Sequence, residues 1–160
     1  MSSAFDRLGL EDLIAVAQEI GVQGIDLCVF RRDGTRKDHT ATHLDYDGFT
    51  RDTAKRLIER FNDAQLRLSV GAFENLIGGD PSERVKNQNH LLKLIRIAYL
   101  LGGDSNDVKV GTFVGYNHEL GAEEYGFQKN LEEYRRVFAP IIRYAEDLGV
   151  TVLYENCPME

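Results

Sequence analysis

The sequence predicts an α/β fold around a parallel sheet, a partial (β/α)8 barrel with about strands 2–5 and helices 1–4. Two observations carry this. Helical stripes alternate with short apolar strands along the whole chain, and polar residues collect at or just beyond the C-terminal ends of those strands. Periodicity alone does not separate a closed barrel from an open doubly wound sheet, and both place their sites at that edge. The doubly wound alternative wants a GxGxxG strand-to-helix turn. None is present, and Gly111 to Gly115 does not fit one.

Leu10, Leu13, Ile14, Ala17 and Ile20 form the first helical stripe, with Gly21 as its stop. Gly24 to Phe30 is a short, mostly apolar strand, followed by a long polar loop to Gly48. Thr50 to Ala64 returns to helical spacing through Ala54, Leu57, Ile58 and Phe61, and Leu66 to Phe73 to a strand. Asp80-Pro81-Ser82-Glu83 is a helix start, with Asp as cap, Pro at the first helical position and Glu three residues after the cap. That helix runs to Gly102. Val108 to Val114 is the third strand. Asn130 to Leu148 is the fourth helix, which Pro140 should kink or divide and Gly149 should close. Val150 to Tyr154 is the last strand.

Composition excludes several classes of function. A net charge of −7 with scattered basic residues argues against tracking a phosphate backbone. The one basic cluster, Arg31-Arg32 with Arg36-Lys37, is interrupted by Asp33 and Asp38 and reads as a solvated loop. Cys28 and Cys157 are too few for a disulfide framework and read as buried free thiols. No leader pattern and no apolar run of membrane-spanning length is present, so a cytoplasmic location and no membrane partner are expected. A closed barrel takes about 250 residues. One domain over 1–160 is therefore expected to be an incomplete barrel, opening on a helix and leaving its terminal strands with unpaired edges.

Val108 to Gly115, the helix start Asn130-Leu-Glu-Glu-Tyr134 and the ending Tyr154-Glu-Asn-Cys-Pro-Met159 together resemble the sugar phosphate isomerase/epimerase family. That family has the xylose isomerase-like TIM barrel and is related to endonuclease IV. Thr42-His43-Leu44-Asp45 and Glu74-Asn75-Leu76 look like its second- and third-strand loops. The resemblance covers the chain from about Leu10 to Met159. It implies a divalent metal (Mn, Mg, Co or Zn) at the C-terminal mouth, held by a Glu, an Asp, a His and a second Glu from later strands. Only the first of these maps here, onto Glu155, so the 160-residue chain alone is expected to be inactive.

Against each functional reading stands a plainer one. Glu155 is a metal ligand or a solvated residue after its strand. His43 contacts substrate or is a locally bonded loop histidine. Asn75 binds a sugar hydroxyl or shapes the turn before Gly78-Gly79. Asn156 and His118 are weaker substrate-binding candidates. His90, mid-helix, reads as packing, and His39 as solvated.

The expected partner is a small sugar or polyol, and homo-oligomers are conceivable. The leading function is an isomerase or epimerase that moves a proton at a carbon next to a carbonyl. A sugar or inosose dehydratase on the same barrel, an apurinic endonuclease and a non-catalytic half-barrel are the alternatives.

Overall fold

Four parallel strands, β1 (Gly24–Cys28), β2 (Arg67–Ala72), β3 (Val110–Phe113) and β4 (Val152–Glu155), pair in sequential order. The computed structural model describes residues 1–34, 43–102 and 108–155. Between the strands lie α1 (Leu10–Glu19, before β1), α2 (Arg51–Asp63), α3 (Pro81–Gly102), the single turn α4 (His118–Gly121) and α5 (Gly126–Asp147). A doubly wound sheet reverses direction at a switch point. Here the order never reverses, and crossovers of one hand then set successive helices side by side. Accordingly α2 packs on α3, and α3 on α5. This is the arc of a barrel, with α1, α2, α3 and α5 as the four expected helices.

Local chemistry explains the boundaries. Thr50 Oγ1 accepts the Thr53 N–H at 3.2 Å, so α2 begins one residue after the expected Thr50. Asp80 Oδ1 accepts from the Ser82 and Glu83 N–H groups at 2.8 and 3.2 Å, with Pro81 as the first helical residue, as expected. Gly21 and Gly149 take positive φ just past α1 and α5. Two expectations need correction. Helix α5 starts at Gly126 and is preceded by α4, where the sequence reads as loop. Pro140 does not divide α5, because it stands on the exposed face, where water can satisfy the carbonyl one turn back.

Side chains alternate between two cores. Leu27, Val70, Ala72 and Val110 face the helices and join Leu91, Leu94, Ile95 and Ala98 in the main cluster. Cys28, Phe30, Phe73 and Phe113 face the other side and form a separate cluster. Each buried aliphatic or aromatic side chain contributes about 1.5–3 kcal/mol. Phe73 stacks at 6.4 Å from Phe30 and 4.9 Å from Phe113. It lies over Gly71, whose Cβ, if present, would stand 2.8 Å from the ring.

The two sheet edges differ. The Cys28 N–H donates to Ser2 Oγ at 2.9 Å, so an N-terminal 3-10 turn (Ser2–Phe5) covers part of the free side of β1. The sequence does not foretell this, since a lone serine carries no edge-capping signal. Beyond β4 no strand pairs among the described residues, and Leu153 and Tyr154 are exposed there.

Candidate functional site

Beyond β1 the chain turns through Arg31, which corrects the solvated-loop reading. The side chain is buried; its Nη1 donates to Asn87 Oδ1 at 2.6 Å and Glu83 Oε2 at 2.9 Å, and its Nη2 pairs with Asp33 at 3.0 Å. Strand alternation aims Phe30 inward and so Arg31 outward, against α3. There Glu83, Asn87 and His90 present a polar stripe at helical spacing. Lys86 first, and Arg31 second, hold the Glu83 carboxyl below its ordinary range, and Arg31 does the same for Asp33.

The neighbouring Arg32 pairs with Asp45 and Asp47, and Lys93 shares Asp47. Both cations lie over the Tyr46 ring, at 5.1 and 5.0 Å. A cavity of about 400 Å³ opens here, but its four cations (Arg31, Arg32, Lys86 and Lys93) meet four carboxylates (Asp33, Asp45, Asp47 and Glu83). Among the described residues no net charge is left there to attract an ionic ligand.

His90 packs as expected. Its Nε2 stands 2.7 Å from the Val29 carbonyl and its ring meets Tyr46 edge-on at 4.8 Å, and burial pushes its pKa down. His43 differs. It is 7% exposed, and among the described residues neither ring nitrogen has a hydrogen-bond partner. A buried N–H or lone pair left bare costs about 1–3 kcal/mol, so a ligand-facing role has an energetic basis here. Glu74 is buried at the end of β2.

Asn75 is committed to its loop. Oδ1 accepts from the Ile77 and Gly78 N–H groups at 3.1 and 2.7 Å, and Nδ2 donates to the Tyr116 carbonyl at 2.9 Å. The turn reading fits these bonds, and Asn75 thereby joins the β2 and β3 loops. His118 is exposed at the start of α4, with its ring edge-on to Tyr116 at 5.1 Å. Asn117 Oδ1 caps that turn through the Glu119 and Leu120 N–H groups, a cap legible in Asn-His-Glu. Asn130 carries no such signal. It is buried, with Oδ1 accepting the Asn117 N–H at 2.8 Å and Nδ2 donating to the Asn117 and Gly126 carbonyls.

Glu155 is the last residue of β4, beside Phe113 in the register. It is exposed and makes no ion pair or hydrogen bond among the described residues. With Phe113, Tyr116, Phe127, Tyr134 and Tyr154 it lines a cavity of about 310 Å³. His43, Asn75 and His118 do not line it. Asn156, Cys157 and His39 lie outside the described residues.

A divalent cation needs several oxygen or nitrogen ligands converging on one point. Among the described residues no three His, Cys, Asp or Glu side chains converge so. Those residues therefore do not fit a divalent metal by themselves, and no chemical step is derived through one.

The model of the xylose isomerase-like TIM barrel family matches residues 14–160. The chain belongs to that family. This agrees with the sequential parallel sheet and with the resemblance carried by the strand-end motifs. The crystal structure of a xylose isomerase domain protein from Planctomyces limnophilus is similar over 89% of this chain, with a TM-score of 0.57 and 15% sequence identity. At that identity the likeness speaks to the fold. The chain spans 48% of that protein's length. Curated proteins offer no match. Members of such a family are usually enzymes, and no helix among the described residues is long and apolar enough to cross a membrane.

Proposed function

We propose that the chain contributes four consecutive strands to a barrel enzyme acting on a small sugar or polyol as an isomerase or epimerase. The reaction takes a proton from a carbon next to a carbonyl and returns one either to the former carbonyl carbon (isomerase) or to the opposite face of the same carbon (epimerase). The observation that carries this reading is the carboxylate of Glu155, unpaired among the described residues, which ends an inward-facing row with Phe113 at the mouth edge of a chain in this family. His43, with both nitrogens unpartnered among the described residues, supplies a second group suited to a substrate hydroxyl.

In the complete barrel Glu155 would be one ligand of a Mn, Mg, Co or Zn ion, joined by ligands from further strands. Such an ion polarises a carbonyl and hydroxyl. The part derivable from this chain is narrower. The phenylalanine row excludes water beneath the mouth, and Asn75 fixes the loop between β2 and α3 against the one after β3. A single carboxylate does not make a catalytic site, so the 160-residue chain is expected to be inactive alone.

The test is solvent-deuterium exchange at carbons next to the carbonyl, followed by NMR over a panel of ketoses and aldoses with Mn²⁺. It uses a polypeptide carrying a complete barrel. Exchange that disappears in Glu155→Gln supports the reading. Exchange unchanged by that substitution, or none with any sugar, refutes it. Loss of water instead of exchange would point to the dehydratase.

A further inference from the structure

We propose that the cavity between β3, β4 and α5 recognises an organic ammonium group, an amine-bearing ligand rather than a neutral one. Five of its lining side chains are aromatic: Phe113, Tyr116, Phe127, Tyr134 and Tyr154. Among the described residues the only charged side chain in the lining is Glu155. No lysine, arginine or histidine neutralises it there, and no cation pairs with it among the described residues. Among the described residues, every cation at the other charged cavity of this edge has a carboxylate, whereas here a carboxylate stands without a cation.

Phe127 and Tyr154 reinforce the argument. They are 71% and 65% exposed, so two large rings stand in water beside an unpaired negative charge. Aromatic walls attract weakly hydrated organic cations through the ring quadrupole, and a nearby carboxylate adds charge pairing. A hard divalent ion gains little from such walls and wants oxygen ligands instead. The amide of Asn130 in the lining is already taken by Asn117 and Gly126. The volume of about 310 Å³ suits a small ligand, such as a trimethylammonium group or an amino sugar.

The inference concerns this chain's own walls and stands apart from the isomerase reading, which needs ligands from further strands. The experiment titrates the 160-residue chain, in buffer with EDTA, with tetramethylammonium and protonated glucosamine. Neopentyl alcohol and glucose are the neutral counterparts, and binding is read by saturation-transfer NMR. Both cations are expected to bind, their neutral counterparts about tenfold more weakly, and Glu155→Gln to lose about tenfold in affinity for the cations. Phe127→Leu and Tyr154→Leu alter exposed positions and should each weaken cation binding severalfold with an unchanged circular dichroism spectrum. Equal binding of neutral and charged ligands, no binding of either, or full binding by Glu155→Gln overturns the proposal. The deuterium-exchange assay on a complete barrel separates the two readings. Exchange that depends on Glu155 there, without ammonium binding here, sinks this inference and leaves the isomerase reading intact.

Discussion

Asn87 joins two strand-end loops: its Oδ1 accepts a 2.6 Å hydrogen bond from Arg31 Nη1, while its Nδ2 donates to the Asn75 carbonyl at 2.9 Å. Asn75 in turn holds the Tyr116 carbonyl, so one buried amide on α3 connects the ends of β1, β2 and β3. A hydrogen bond to a charged group contributes about 1.5–3 kcal/mol and a neutral one about 1 kcal/mol. Asn87→Ala should therefore lower the unfolding free energy by about 2–4 kcal/mol. Urea denaturation checks this: the midpoint falls while the slope holds. Asn87→Asp keeps the acceptor for Arg31 and loses only the donor, so it should cost less. An alanine variant as stable as the parent would show that the loops do not depend on this link.

His90 gives the fold a pH dependence. Burial lowers its pKa below the ordinary value of 6.5, so the unfolded chain takes up the proton first as pH falls. The stabilisation is complete above 6.5 and is lost as pH drops from there towards the folded value. The slope is at most about 1.4 kcal/mol per pH unit for one group. Urea unfolding at pH 7.5, 6.5 and 5.5 measures it. His90→Gln keeps a donor for the Val29 carbonyl and should flatten the curve in that window. An unchanged slope in the variant would assign the dependence to other groups.

The architecture was legible because each strand and helix carries its own period, and because the strand ends carry the polar residues. Asp80 announced its cap through residue type and spacing, whereas Thr50, which reads as the first helical residue, is itself the cap. What the sequence hid depends on contacts distant along the chain. Arg31 reads as a loop cation until α3, some fifty residues later, brings Glu83 and Asn87 to it. Ser2 reads as a terminal residue until β1 presents an unpaired N–H. The site was legible only in part. Glu155 and His43 could be named from the family resemblance of the segments that carry them, but only the folded contacts show that His43 lacks partners among the described residues and that Asn75 has spent its own. The aromatic surroundings of Glu155 come from β3, α5 and β4 together, and no local pattern announces them.

Phe73 and Gly71 should show strong coupling. An alanine Cβ at Gly71 would meet the Phe73 ring at 2.8 Å and the Gly111 carbonyl at 3.1 Å. Overpacking of this kind costs about 1–3 kcal/mol. Phe73→Leu removes the ring contact, so Gly71→Ala should cost less in that background. A double-mutant cycle on unfolding free energies gives the coupling directly. Additive effects would mean that the sheet, not the ring, sets the limit at Gly71.

His43 separates stability from function. Among the described residues its buried imidazole has no hydrogen bond at either nitrogen, a cost of about 1–3 kcal/mol that folding alone does not recover. Leucine at this position fits a similar volume and removes both bare nitrogens. His43→Leu should therefore raise the unfolding free energy by about 1 kcal/mol. If the imidazole serves a ligand, the same substitution in a complete barrel should sharply reduce turnover while thermal stability improves. That pairing is the signature of a group held ready for substrate at the expense of the fold. Thermal unfolding and the deuterium-exchange assay together decide the matter. A destabilised leucine variant would instead show that His43 is a packing residue and remove it from the site.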